Sequence, residues 1–130
     1  NLFTEELKIN KIKNIKLPVS APFHCELMRS ATRVMKEKIM NIEFNIPSNK
    51  IISNVTAMPN TDPLEIKKLL IEQIEKPVRW RETINYIISN GVKKFIEIGP
   101  GKVLSGLVKR IDSNVNLIQV NDIEDVKNLN

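Results

Sequence analysis

The stretch Lys94-Phe95-Ile96-Glu97-Ile98-Gly99-Pro100-Gly101-Lys102-Val103-Leu104 decides the fold class of this 130-residue chain. Its opening residues are rich in the aromatic and β-branched side chains that are typical of a strand. Two glycines around a proline then predict a tight turn, and the residues from Lys102 to Ile111 have the apolar spacing of a helix. A strand that leads through a turn into a helix is the repeating unit of folds built on a parallel sheet.

Strands and helices alternate on both sides of this unit. Before it, we predict a helix from Arg79 to Asn90, because Asn90-Gly91 is typical of helix termination. After it, the pattern predicts a strand from Asn116 to Val120 and a short helix from Ile123 to Leu129. Alternation of this kind favours the α/β class, with a mostly parallel sheet and flanking helices. Ligands of such folds bind at the carboxyl ends of the strands.

The first half of the chain contains further predicted elements. Asp62-Pro63 indicates a helix start, because an acidic N-cap followed by proline is favourable there. A longer helix is predicted from Glu26 to Met40, with an apolar face that we expect in the core: Leu27, Met28, Ala31, Val34, Met35 and Ile39. The remaining predictions are a helix end over Leu2 to Leu7, a strand over Lys8 to Lys16, an extended piece over Ile42 to Ile46, a strand over Lys50 to Val55, and continuation of the Asp62-Pro63 helix through Ile74 until Pro77.

Composition limits the possible functions. The chain is 42% hydrophobic and 27% charged, which is typical of one globular domain. One cysteine and one histidine exclude a disulfide framework and a multi-Cys/His zinc cluster, so we expect no metal and a reducing compartment. No apolar run approaches the roughly 20 residues of a membrane span, and the start has the form of an internal sequence rather than a signal peptide. A net charge of +5 with only 5% aromatic residues favours an acidic protein or a phosphate-bearing small molecule over nucleic acid.

The only histidine and the only cysteine are adjacent, in Leu17-Pro18-Val19-Ser20-Ala21-Pro22-Phe23-His24-Cys25. The prolines favour extended backbone, and helical spacing starts directly after Cys25. His24 is therefore expected to project from a strand-to-helix junction, with a side chain suited to proton transfer near neutral pH. A Cys–His nucleophile pair is disfavoured, because adjacent side chains diverge. We expect Cys25 to be a buried, inert thiol.

Several motifs resemble one known family. They are the histidine segment with Leu27-Met28, then Ile52-Ser53-Asn54-Val55, then Gln73 with Pro77-Val78-Arg79-Trp80, and finally Glu97-Ile98-Gly99-Pro100-Gly101-Lys102-Val103-Leu104 with Gly106-Leu107. In this order and spacing they resemble the C-terminal portion of malonyl-CoA:acyl carrier protein transacylases, from about Leu17 to Ile111.

The resemblance implies a serine acyltransferase with an α/β-hydrolase-like core and an inserted ferredoxin-like subdomain. Residues 1–16 would be the return from that subdomain, and residues 17–130 the last part of the core. The family implies that His24 is the general base and that the main-chain carbonyl of Gln73 orients its ring. It also implies that Phe23, Asn54 and Val103 line the acyl and coenzyme A channel. No cofactor is implied beyond the substrates, malonyl-CoA and phosphopantetheinylated acyl carrier protein.

The family's nucleophile lies in a Gly-His-Ser-x-Gly elbow, and the chain contains no such sequence. We therefore expect this chain to be an inactive piece that needs the remaining N-terminal part of the enzyme as its partner. Two alternatives stay open: a segment of a polyketide or multifunctional fatty-acid synthase, and a non-catalytic fragment that docks acyl carrier protein. A plastid or a bacterial cytoplasm would suit either transferase, and a mitochondrion less so.

Overall fold

A computed structural model of the chain describes residues 2–15 and 19–129. The opening Leu17-Pro18 of the histidine segment and the last residue of the predicted Lys8–Lys16 strand lie outside the described residues. The helices are α1 (Leu2–Ile9), α2 (Arg29–Met40), α3 (Pro63–Glu72), α4 (Trp80–Ser89), α5 (Val103–Ile111) and α6 (Ile123–Lys127), with a 3-10 turn over Glu26–Met28 directly before α2. The strands are β1 (Ile51–Ile52), β2 (Pro59–Asn60), β3 (Lys94–Ile98) and β4 (Asn116–Val120).

The α/β class predicted from the sequence is confirmed. Strands β3 and β4 pair in parallel over their whole length, from Lys94 opposite Asn116 to Ile98 opposite Val120, with α5 as the crossover between them. Strands β1 and β2 form a second, antiparallel pair, which the sequence did not predict. The predicted strand over Lys50 to Val55 is short because a turn starts at Ser53, whose carbonyl accepts from Ala57 N at 2.9 Å.

The hydrophobic core of the described residues is small. Ile84 in α4 is 2% exposed and Val108 in α5 is 3% exposed. Helix α5 lies against β3 and α4 lies against α5, and residues of both helices line one 170 Å³ cavity with Phe95 and Leu117. The other buried apolar side chains are Ala57, Ile66, Leu69 and Val120. Burial of these side chains holds α3, α4 and α5 to the strands, and it thereby sets the position of the loops between them.

The predicted strand over Lys8 to Lys16 is wrong. Helix α1 continues to Ile9, and Lys11 then takes a positive φ of 55°. Two hydrogen bonds close the helix end: Ile12 N donates to Leu7 O at 2.8 Å, and Lys11 N donates to Lys8 O at 2.9 Å. This pair of bonds is a Schellman motif, which satisfies the last helical carbonyls locally, and the segment that follows to Ile15 forms no strand.

The prediction of a buried apolar face on the Glu26–Met40 helix is also wrong. None of its residues is buried, and Leu27 and Val34 are 76% and 61% exposed. Helix α3 makes the main contact with α2 among the described residues, so only one narrow stripe is covered. Lys67 of α3 fastens the end of α2, because its Nζ donates to Met40 O at 3.2 Å and to Ile42 O at 2.6 Å. The predicted extended piece over 42–46 forms no strand.

The start of α3 agrees with the sequence, whereas its end does not. The Asp62 carboxylate accepts from Leu64 N at 3.0 Å, and Pro63 is the first residue of α3, as the capping pattern predicts. The helix ends at Glu72, before the predicted stop. Gln73 takes the C-cap position.

Glu97 joins β3 to the start of α5. Its carboxylate accepts from Leu104 N at 3.0 Å and from Ser105 N at 2.7 Å, which are backbone donors of the first helical turn. Hydrogen bonds from the Ser105 side chain, from its backbone N–H and from Leu104 N–H lower the pKa of Glu97 below its ordinary value, against a smaller opposing effect of burial. The carboxylate thus acts as a long-range helix cap.

We expect Glu97→Gln to lower the free energy of unfolding at neutral pH, because an uncharged amide accepts weaker bonds from these N–H groups. A folded-state pKa below the unfolded value means that the stabilisation is complete above the unfolded pKa and is lost as pH falls through the folded one. The difference in the free energy of unfolding between wild type and variant should therefore shrink below about pH 4.5, which is near the unfolded pKa of a glutamate. Urea unfolding series at several pH values measure this difference. The exposed Glu43, changed to Gln, is the control. A pH-independent difference at Glu97 would contradict the charged cap.

Candidate active site

A sharp bend of the backbone presents His24. Its φ of 62° lies in the left-handed region, and Cys25 follows in extended geometry with φ −148° and ψ 171°. Phe23 N donates to Ala21 O at 2.9 Å just before the bend, and Met28 N donates to Cys25 O at 3.0 Å just after it. A non-glycine residue rarely adopts this conformation unless its surroundings hold it there. The bend leaves the His24 side chain exposed at the start of the 3-10 turn.

The His24 ring contacts the main chain of Gln73. Its Nδ1 lies 2.8 Å from the Gln73 carbonyl oxygen. A carbonyl oxygen only accepts hydrogen bonds, so Nδ1 is the donor and carries the proton. In the neutral ring the other nitrogen, Nε2, therefore has its lone pair free. A neutral imidazole with a fixed tautomer and an exposed Nε2 is the form that accepts a proton from a nucleophile.

The Gln73 carbonyl is available because of its place at the end of α3. Gln73 N still donates to Leu69 O at 3.0 Å, in the helical manner. Beyond it the chain forms a turn with a three-residue hydrogen bond, from Ile74 N to Ile71 O at 3.3 Å. Carbonyl groups in the last turn of a helix lack partners four residues ahead, so one of them can accept from a side chain.

Asn54 is the third residue of this cluster. Its Nδ2 donates to the side-chain oxygen of Gln73 at 3.2 Å, and both side chains are half-buried. Both residues also line a cavity of about 280 Å³ between β1 and α3. The sequence suggested Asn54 only as a channel residue. It missed the link to Gln73, since two residues nineteen positions apart in a loop and a helix end have no spacing that signals contact.

The other predicted residues are not joined to this cluster by a hydrogen bond within the described ranges. Phe23 precedes His24 directly and is 55% exposed, and Val103 begins α5 and is 72% exposed. Their roles in substrate binding stay predictions. Cys25 is half-buried rather than buried, and its thiol donates to Pro22 O at 3.2 Å.

Across residues 2–15 and 19–129, no three His, Cys, Asp or Glu side chains lie close enough together to hold a metal ion. Within the same ranges, no helix combines the length and the apolar character needed to cross a membrane.

Comparison with known proteins gives close relatives of one kind, although no protein-family model matches the chain. The Malonyl CoA-acyl carrier protein transacylase of Bacillus subtilis (strain 168) is 46% identical over 127 residues, which cover 97% of this chain and 40% of that protein. The crystal structure of an acyl-carrier-protein-S-malonyltransferase from Bartonella henselae superposes with a TM-score of 0.86 at 40% identity, covering 95% of this chain and 40% of that one.

A third relative was solved with a partner. It is a malonyl-transacylase in complex with its type II polyketide synthase acyl carrier protein in the holo form, with a TM-score of 0.84 and 35% identity over 95% of this chain and 40% of that chain. The chain thus spans about 40% of the length of the relatives that it matches.

Proposed function

The chain is homologous to malonyl CoA-acyl carrier protein transacylases over nearly its whole length, and from this relationship we propose that it supplies the general base of such an enzyme. The reaction is transfer of a malonyl group from coenzyme A to the phosphopantetheine thiol of acyl carrier protein. One observation carries the proposal: the exposed His24 has its Nδ1 2.8 Å from the Gln73 carbonyl, and no hydrogen bond engages Nε2 among the residues that the structure describes.

The first half-reaction uses His24 to activate a serine that lies in polypeptide beyond this chain. Nε2 takes the hydroxyl proton while the oxygen attacks the thioester carbonyl of malonyl-CoA. As the carbon–sulfur bond breaks, the imidazolium returns its proton to the departing sulfur. The products are the malonyl-serine ester and free coenzyme A.

The second half-reaction uses the same nitrogen in the reverse sense. Nε2 takes the proton of the phosphopantetheine thiol, and the thiolate sulfur attacks the malonyl ester. The serine oxygen leaves and receives the proton from the imidazolium. In both steps the Gln73 carbonyl stabilises the positive charge on the ring, because it accepts a hydrogen bond from Nδ1 throughout.

The partners follow from this chemistry. Phe23, Asn54 and Val103 are proposed to contact the acyl group or coenzyme A, and the exposed apolar surfaces of Phe23 and Val103 suit that contact. The net charge of +5 favours an acidic carrier protein. The first candidate partner is an acyl carrier protein of fatty-acid synthesis. An acyl carrier protein of polyketide synthesis is the second candidate, because one relative was solved with such a protein.

We expect the full-length protein that contains this chain to transfer labelled malonyl from malonyl-CoA to holo acyl carrier protein. We also expect Cys25→Ser to keep its rate within about twofold, since the thiol is engaged with Pro22 O and takes no part in the chemistry. Gel autoradiography of the carrier measures both results. The 130-residue chain alone is the matched control and should be inactive. Absence of transfer by the full-length protein would overturn the proposed function. Loss of transfer in Cys25→Ser would contradict the statement that the thiol takes no part in the chemistry.

A further inference from the structure

The peptide group that orients His24 is held only weakly by its own helix. The Gln73 carbonyl accepts from His24 Nδ1 at 2.8 Å, but the N–H of the same peptide group, on Ile74, donates to Ile71 O at a long 3.3 Å. This peptide group is also the first one beyond α3, where carbonyl groups lack helical partners four residues ahead. A carbonyl that fixes a tautomer needs a second restraint on its direction.

The side chain of Gln73 supplies a place for that restraint. Its oxygen accepts from Asn54 Nδ2 at 3.2 Å, so both ends of Gln73 are engaged, the main chain by His24 and the side chain by Asn54. The contact is half-buried, where a hydrogen bond has less competition from water.

The loop that carries Asn54 is hydrogen-bonded to Arg79 at the start of α4. The Asn54 carbonyl accepts from Arg79 N at 2.9 Å, and Arg79 Nη1 donates to Thr56 O at 3.2 Å. The same loop contains Ala57, which is buried at 4% exposure. Asn54 therefore contacts both ends of the connection between α3 and α4, Gln73 at the start and Arg79 at the finish.

We propose that Asn54 is a positioning residue that keeps the Gln73 carbonyl aimed at His24 Nδ1 through its bond to the Gln73 side chain. In this role Asn54 acts through Gln73 rather than on the reacting atoms, and the role is an alternative to the acyl or coenzyme A contact proposed for Asn54 above, which would instead change KM. The proposal rests on the proposed function of His24 as general base and adds the residue on which the base depends.

A double-mutant cycle tests the link. Asn54→Leu removes the donor at similar size, and Gln73→Met removes the side-chain acceptor but keeps the carbonyl that His24 uses. Each single change should lower kcat about tenfold with KM changed less than about twofold, and the double variant should be no slower than either one. Asn54→Asp should recover most of the rate, because the Gln73 amide can rotate and donate to the new carboxylate. Additive losses, or a KM effect without a kcat effect, would overturn the proposal.

A direct readout is which nitrogen of the His24 ring carries the proton. ¹⁵N NMR of histidine-labelled protein measures it, and comparison with a His24→Gln sample assigns the His24 signals. Loss of the Asn54 bond should raise the fraction of the tautomer protonated on Nε2. Asn60→Ala is the control: Asn60 lines the same cavity but its side chain accepts from Asp62 N. It should leave the tautomer of the ring unchanged.

The two readouts separate the two proposals. An unchanged tautomer in both Asn54→Leu and Gln73→Met would refute the positioning role, whatever the rates do. A changed tautomer with wild-type rates would support the positioning role and instead refute His24 as the base.

Discussion

Replacing His24 with glutamine is expected to lower kcat for malonyl transfer by about 10²–10⁴-fold, which is the usual contribution of a positioned general base. Glutamine is similar in size and can still donate to the Gln73 carbonyl, the partner that Nδ1 has at 2.8 Å. It cannot accept a proton at neutral pH. The variant therefore removes the chemistry and keeps the contact.

The variant should slow both half-reactions, since one nitrogen serves both. The rate of coenzyme A release in a single turnover and the rate of malonyl-carrier formation should fall together. The affinity for malonyl-CoA should change little. His24→Gly is a useful companion, because glycine adopts the φ of 62° without strain and leaves space for added imidazole. Partial rescue by imidazole is expected. Wild-type rates in the His24→Gln enzyme would refute the assignment of the base.

Replacing Leu69 with alanine is expected to lower the free energy of unfolding by about 2–5 kcal/mol, the usual cost of deleting a buried leucine. Leu69 is 6% exposed and lies on α3 one turn before Gln73. The substitution leaves a cavity between α3 and β1 that the neighbouring side chains fill only in part. Denaturant unfolding monitored by circular dichroism measures the loss.

Leu64 on the same helix is the matched control. It is 75% exposed, so Leu64→Ala should change the free energy of unfolding by no more than about 0.5 kcal/mol. Equal losses at the two positions would contradict the burial pattern of α3. At temperatures where the Leu69→Ala protein remains folded, its activity should fall less than that of His24→Gln, because its effect on the base passes only through the end of α3.

Local signals in the sequence were enough for some elements. The strand from Lys94 to Ile98 has the bounds that its composition predicts, and Asp62-Pro63 starts α3 as a cap should. The pairing of His24 with the Gln73 carbonyl was inferred from a family resemblance, and the structure brings the two together at 2.8 Å. The catalytic roles of both stay predictions until the variants are assayed.

Other features depended on contacts that no local pattern contains. The Ile- and Lys-rich segment after α1 reads as a strand, yet a Schellman closure at Lys11 ends a helix there instead. The apolar stripe of α2 reads as core, yet Val34 remains 61% exposed, because α3 is the main neighbour of α2 among the described residues. Periodicity records which face is apolar, and burial of that face requires a neighbour.

The sequence by itself determined the α/β class, the start of α3 and the identity of the one side chain suited to proton transfer, because composition, capping and periodicity act over a few neighbouring residues. The family resemblance pointed to the Gln73 carbonyl as the partner of the His24 ring, but only the tertiary structure decided that Asn54 holds the same residue from its other side. Those contacts join residues 49 and 19 positions apart. Packing of α2 and of the loop after β1 against α3 brings them within hydrogen-bond distance.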